Sequence, residues 1–340
     1  MRKIVLLIVG ILLNMSFVMA FANGQKKEPF MSQRFPVSSV KSVKVTTSGG
    51  DIAMNSNVAS EAVVEVYISK DKWSDEKIKQ MFEKNYIIDI KVKDGKLYAE
   101  AKPKNEKINW KQQGLNISFK LNVPREVNSN LTTSGGDIEI CDLSGTQNLT
   151  TSGGDITAKK CSGEIKLTTS GGDIVADNCN GKIRLVTSGG DIKVSNLTEE
   201  INASTSGGDI TAKNCRGKIC LVTSGGDIKV SNLTEEINAS TSGGDITAKD
   251  CNGKIHLATS GGDIKMDNIE GNTDAATSAG NLTASNIKGN IRAGTSGGGK
   301  VILNNISGSI YAKTSGGGSI KLDGKSIGKN VNGEIVVEIP

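Results

Sequence analysis

In the second half of the chain, apolar and polar positions alternate in short runs that recur every nine residues. Ile210, Ile219, Ile228, Ile237, Ile246, Ile255 and Ile264 are spaced nine apart. Each is followed two positions later by a second apolar residue: Ala212, Leu221, Val230, Ala239, Ala248, Leu257 and Met266. A period of two is that of a strand, with side chains pointing in, out and in. Most runs end in a turn signal, either Ser-Gly-Gly or Asn-x-x-Gly. The Gly and β-branched content opposes a helix.

Two such runs make a unit of 18 residues. TSGG starts at Thr133, Thr151, Thr169, Thr187, Thr205, Thr223, Thr241 and Thr259. TSAGNL at Thr277 and TSGGGK at Thr295 keep the interval, and the last copy, at Thr314, follows after 19. An isolated TSGGDI stands at Thr47. Fixed spacing predicts a solenoid, in which each unit covers the apolar face of the next. The expected fold is all-β: a single-chain β-solenoid of 18-residue, two-strand coils with a mixed α/β cap at the N-terminal end.

Aligning the coils sorts positions into columns. Leu143, Cys161, Cys179, Leu197, Cys215, Leu233, Cys251, Ile269 and Ile287 form an apolar, inward column. Just before it run Asn178, Asn196, Asn214, Asn232, Asp250, Asn268 and Asn286. Alternation places these Asn residues inward at a turn, where they tolerate the left-handed conformation and can stack their amides. The Thr that opens each TSGG is also expected inward, and both ladders are read as structural. Outside, Glu164, Lys182, Glu200, Lys218, Glu236 and Lys254 alternate in sign coil by coil. Such pairs are worth under about 1 kcal/mol each and chiefly favour one stacking register. A permissive outward column contains Lys166, Arg184, Asn202, Cys220, Asn238, His256, Asp274 and Arg292. The single His of the chain is one filling of that column and no credible base.

One column carries a single sign: Asp137, Asp155, Asp173, Asp191, Asp209, Asp227, Asp245 and Asp263. It needs compensation, either by hydrogen bonds from turn amides or the TSGG serines, or by bound Ca²⁺. The GGxGxD spacing of Ca²⁺-binding β-rolls is missing, and each coil offers one Asp. This ladder is therefore only a weak metal candidate; no cofactor is expected, and Ca²⁺ remains the alternative. An even count of six cysteines in an exported chain usually signals disulfides. Here Cys161, Cys179, Cys215 and Cys251 fill slots that take Leu or Ile elsewhere, so buried thiols are expected. Only Cys161 and Cys179 lie on adjacent coils with a Cα separation that could be bridged.

The flanks read differently. Arg2 and Lys3 precede an apolar run from Ile4 to Ala22, and Ala20-Phe21-Ala22 offers a small-x-small cleavage site before Asn23. Residues 1–22 are expected to be a signal peptide, with an uncleaved anchor as the alternative. Residues 23–130 are expected to cap the solenoid, because its end would expose open strand edges and core; a separate ligand-binding head is the alternative. Within them, 23–36 reads as a flexible lead, Val40–Met54 as a strand–turn–strand resembling one coil, and Ala62–Ile68 as a strand. Ser74–Asn85 reads as a helix with Ser74 as N-cap. Strands follow at Tyr86–Val92 and Lys96–Ala101 around the Asp94-Gly95 hairpin signal, and at Leu115–Val123, stopped by Pro124. Trp73 and Trp110 lie here. Residues 131–340 form the repeat domain, closing on a strand within Gly333–Pro340.

Composition narrows the function. The chain has 340 residues, a net charge of +5, one His, five Pro and 4% aromatics. One His argues against a multi-His zinc site or a His-dependent triad. Without Arg2 and Lys3 the charge is 39 − 36 = +3, too weak to argue for nucleic acid. Residues 187–222 and 223–258 match at 32 of 36 positions. A rod lengthens by such copying, whereas a site of unique residues gains nothing from it.

The strand-rich lead, the Asn122-Val123-Pro124 strand end and the T-S-G-G-D-I coils resemble the bacterial putative-adhesin family of β-strand repeats, a domain of unknown function, over about residues 40–340. The resemblance implies a β-solenoid at the envelope or outside the cell and supplies no catalytic residues. TSAGNL at 277 and the Asp-less coils at 295 and 314 depart from the pattern, as terminal units would. The expected function is that of an exported, non-enzymatic adhesin or surface interaction rod in the periplasm, on the cell surface or outside the cell. It would be monomeric, would carry no membrane span after cleavage and would bind a protein or glycan. A structural or stress-related envelope protein is the second reading. A polysaccharide-cleaving β-helix is a remote third, because turns of two to four residues build no groove. An ice-binding face is a remote fourth, because the regular Thr column is expected to point inward.

Overall fold

A computed structural model describes residues 28–56, 60–105, 114–329 and 333–337. The expected leader at 1–22 and Trp110 lie outside the described residues. Among the described residues the fold is nearly all-β with one α-helix, and its solenoid coils repeat about every 18 residues.

Strands β1 (Met31–Pro36), β2 (Ser42–Thr46), β3 (Ile52–Asn55) and β4 (Glu61–Ser69) precede helix α1 (Asp75–Asn85). Then come β5 (Tyr86–Lys93), β6 (Lys96–Pro103), β7 (Asn116–Asn122), β8 (Asn128–Thr132), β9 (Ile138–Cys141), β10 (Gln147–Thr150) and β11 (Ile156–Lys159). β8 and β9 make one coil, and β10 and β11 make the next. β10 lies parallel to β8 with Gln147 opposite Ser129, and β11 lies parallel to β9 with Ile156 opposite Ile138. The register of 18 continues through Ile210, Ile228 and Ile246, which stack in one file. It becomes 19 near the C-terminal end, where Leu282 faces Val301 and Ile291 faces Ile310.

Two strands per coil give two sheet faces enclosing one narrow core. Ile192, Val194, Leu197 and Ile201 of a single coil are all buried. A fully buried aliphatic side chain contributes about 1.5–3 kcal/mol, so the core outweighs any exposed ion pair by severalfold. The buried Thr of each TSGG adds a polar ladder. Thr205 Oγ1 donates to Gly190 O at 2.9 Å and accepts from Gly208 N, and Thr187 and Thr223 repeat the pattern. Every inward hydroxyl of this column that opens a middle coil thus has partners, as burial requires. The second Gly of TSGG is needed because backbones touch there: a Cβ on Gly190 would lie 2.0 Å from Gly172 O.

The Asn column departs from expectation. Asn178, Asn196, Asn214, Asn232, Asp250, Asn268 and Asn286 have φ of 53–57° and are exposed, not inward. A left-handed residue breaks the pleat, so simple alternation fails across it and the side chain swings to solvent. The amides still stack along the axis, with Asn232 Nδ2 donating to Asn214 Oδ1 at 3.0 Å.

At the N-terminal end, chain order and coil order separate. β2 lies between β6 and β8, parallel to both, and β3 lies likewise between β7 and β9. Residues 42–55 are therefore a coil of the ladder, and Thr133 Oγ1 reaches Gly50 O at 2.9 Å as other coils do. β6 and β7 form the outermost coil. Beyond them the pairing turns antiparallel: β5 covers β6, β4 covers β7, and β1 covers β4. The lead expected to be flexible thus contains a strand at 31–36, recruited to an edge that would otherwise be open. Ser74 caps α1 by accepting from Lys77 N, and Ile78 is buried against the core. The far end also turns antiparallel, with strand Gly333–Val337 on Ile310–Thr314 and Lys325–Lys329 on Ser319–Leu322.

Candidate functional site

The Asp ladder lies at the corner between the TSGG turn and the short strand of each coil. Asp155 N donates to Asp137 Oδ1 at 2.8 Å, Asp173 N to Asp155 Oδ1 at 2.7 Å, and Asp191 N to Asp173 Oδ1 at 2.8 Å. Asp209, Asp227, Asp245 and Asp263 continue the series at 2.7–2.9 Å. Both ends of the ladder explain its role. Asp51 Oδ1 accepts from Asp137 N at one end, and Asn281 Oδ1 accepts from Lys300 N at the other. A neutral amide does the same work there, so the column is built as an acceptor for the next coil's amide. Lysines offset part of its charge: Lys229 lies 3.5 Å from Asp227 and 4.0 Å from Asp209, and Lys193 lies 3.9 Å from Asp191. Each coil presents one carboxylate with one oxygen already engaged, far short of the six to eight oxygens a Ca²⁺ cage needs. Among the described residues no three His, Cys, Asp or Glu side chains converge as a metal set.

The outward columns follow the register. Glu164, Lys182, Glu200, Lys218, Glu236 and Lys254 face one another coil by coil, with Lys182 Nζ 3.9 Å from Glu200. His256 stands between Asn238 and Asp274, half exposed, with Nδ1 3.6 Å from the Asp274 carboxylate. No nucleophile shares its position, and it sits in the open.

The opposite face carries a pattern that column-by-column reading of the sequence passed over. Lys193, Lys213, Lys229, Lys249 and Lys265 supply one cation per coil, alternating between two outward positions. The signal was present as Ile-Lys-Val-Ser alternating with Ile-Thr-Ala-Lys. Together with the Asp corner it forms a regular charged relief.

All six cysteines are free thiols; Cys161, Cys179, Cys215 and Cys251 are buried, and burial pushes Cys215 and Cys251 above the ordinary thiol value. At the capped end, a shallow crevice is lined by Glu28, Phe30, Tyr67, Ile68, Asp75 and Ile78. Tyr67 donates its phenolic proton to Glu65 at 3.0 Å, and its pKa is pushed up to about 12, by burial first and by Glu65 next. It is a neutral donor and not a base at physiological pH. No described helix is long and apolar enough to cross a membrane.

The family model described as Toastrack DUF4097 matches residues 8–248. No curated protein matches the chain. Among solved structures, similarity extends to a putative cell adhesion protein from Clostridium sporogenes ATCC 15579, at 12% identity over 70% of this chain and 99% of that one, with a TM-score of 0.27. It extends also to a putative lipid binding protein from Parabacteroides distasonis ATCC 8503, at 15% identity over 87% and 97% of the two chains, with a TM-score of 0.30.

Proposed function

The chain belongs to the Toastrack DUF4097 family, and from that premise we propose that it is an exported, non-enzymatic rod that binds a surface partner, protein or glycan, along its outward faces. The supporting observation is the unbroken parallel register of the coils, which repeats every outward position along the axis. At a rise of about 4.8 Å per coil, equivalent side chains form evenly spaced rows. Such rows suit many weak, equivalent contacts, whose joint strength grows with the number engaged. The dominant titratable column, the Asp ladder, is occupied in joining coil to coil. In this reading residues 1–22 direct export and are removed before Asn23. Residues 23–130 close one end, and 131–340 present the binding faces as a monomer without catalytic residues or a cofactor.

The test is to screen the chain from Asn23 against glycan and matrix-protein arrays, alongside a form lacking residues 223–258. Binding that weakens as coils are removed supports the proposal. Binding abolished by one substitution in one coil, and indifferent to length, overturns it. Retention in the cell envelope without any such binding points instead to a structural envelope role. Amino-terminal sequencing of material recovered outside the cytoplasm should begin at Asn23.

A further inference from the structure

Four cysteines occupy the inward column, but only two are neighbours. Cys161 and Cys179 sit on successive coils, joined by Asn180 N donating to Cys161 O at 3.0 Å. Adjacent parallel strands bring equivalent Cα atoms to about 4.8 Å, inside the 4.4–6.8 Å range of disulfides. Cys215 and Cys251 instead have Leu197, Leu233 or Ile269 above and below them. The thiols also differ in direction. Cys161, Cys215 and Cys251 each donate to a carbonyl of their own coil, Lys159, Lys213 and Lys249, at 3.2–3.3 Å. Cys179 does so too, to Asp177 O at 3.3 Å, and it alone also reaches Ala158 O, at 3.6 Å, on the coil of Cys161.

We propose that Cys161 and Cys179 are a redox site: an oxidant of the peroxide class links them into a disulfide that clamps two adjacent coils. Cys179 gives up its proton and its thiolate attacks one peroxide oxygen; the O–O bond breaks, the departing hydroxide takes that proton and leaves as water, and Cys179 becomes a sulfenic acid. The Cys161 sulfur then attacks Cys179 Sγ, the S–O bond breaks, and the Cys161 proton leaves with that oxygen as water. Two thiols lose two electrons, and one peroxide yields two waters. Cys179 is assigned the first attack because its thiol alone reaches across to the coil of Cys161. A small oxidant fits the burial of both cysteines, each residue 2% exposed.

The experiment treats the full chain with equimolar hydrogen peroxide under native conditions, then alkylates it and maps its peptides. Six alkylatable thiols should fall to four, with the peptides of Cys161 and Cys179 linked to each other. Cys179→Leu, which restores the residue of other coils in that slot, should abolish the loss, whereas Cys251→Leu should leave it unchanged. Oxidation spread over the more accessible Cys141 and Cys220, with no peptide linking 161 to 179, overturns the proposal. So does sulfinic acid at Cys179 with a free Cys161. The wild-type map stands alone should the Leu variant fail to fold.

Discussion

The middle of the rod and its N-terminal end obey different rules of neighbourhood. In the middle, the strand above any strand is the one 18 residues further on, as Ile210 under Ile228 illustrates. At the N-terminal end, the neighbours of Ser42 are Lys96 and Asn128, 54 and 86 residues away. The middle is a chain of local contacts, in which each coil needs only the next. The end is stitched together by distant segments, so β2 and β3 hold the outermost coil to the rest. Uniform coils supply length, and the irregular end supplies closure.

Deletions give the sharpest test of that contrast. Removing residues 223–258 should leave a folded rod shorter by two coils, because Val222 would then meet Thr259 much as it met Thr223. Removing 42–55 should cost the whole N-terminal end, since β6 and β7 lose the coil on which they rest. Circular dichroism and hydrogen exchange over β4, β7 and α1 would report both. Equal tolerance of the two deletions would break the distinction. Next in size is Leu221→Asp. Leu221 is fully buried between Ala203 and Ala239 of adjacent coils. An unpaired carboxylate there should lower stability by about 4 kcal/mol or more, read as a fall in the denaturant midpoint.

The same contrast explains what was legible in the sequence. The coil, its two strands, the inward Ile and Thr columns and the sign-alternating column follow from an 18-residue period, because period and neighbour coincide. The order of coils at 42–122 has no such signal, since pairing between Ser42 and Lys96 leaves no fixed interval. The Asn column was misplaced because a φ near 55° interrupts alternation, which apolar patterning alone does not register. β1 was missed because its half-buried Met31 and Phe35 are separated by polar residues and it gains its partner only from the edge of β4. Among the functional features, the Asp column was visible as a row of like charges, while its use as an acceptor for the next coil's amide needed the backbone.

Even the uniform coils contain a local misfit. Gly163, Gly181, Gly217 and Gly253 occupy one turn position with φ of 108–133°, but the coils at 187 and 223 place Glu199 and Glu235 there, at 82° and 88°. A side chain at positive φ costs about 1–2 kcal/mol. Glycine gives back about 0.5–1 kcal/mol through the entropy of the unfolded chain. Glu199→Gly should therefore stabilise the rod by up to about 1 kcal/mol, seen as a raised denaturant midpoint at constant slope. Glu235 is the poorer choice, because Arg216 Nε pairs with it at 2.7 Å. The reciprocal Gly217→Ala should destabilise, as its Cβ would fall 1.9 Å from Glu199 O. A neutral or harmful Glu199→Gly would mean that the coil relaxes around the side chain at no cost.

The smallest effect distinguishes the joint from the ladder it starts. Asp51 opens the Asp column at the stitched end. Its carboxyl is raised above the ordinary 3.8, first by burial and further by the charge of Asp137, with the Asp137 amide opposing. A carboxyl whose pKa is higher folded than unfolded binds its proton more tightly in the native state. Its contribution to stability is therefore fully present below the unfolded pKa and is lost as pH rises through the folded one. Asp177 works in the opposite sense: hydrogen bonds from Ser195 and Asn196 lower its pKa, so its contribution is present above the unfolded value and is lost as pH falls through the folded one. Asp51→Asn keeps an oxygen for the Asp137 amide, as Asn281 does for Lys300, and removes the charge. The variant should match or slightly exceed the wild type at pH 7, and the gap should close as pH falls toward 4. Melting temperatures of both proteins between pH 3.5 and 7 would show this. A variant less stable at every pH would mean that the Asp51 charge, and not merely its oxygen, holds the first coil to the ladder.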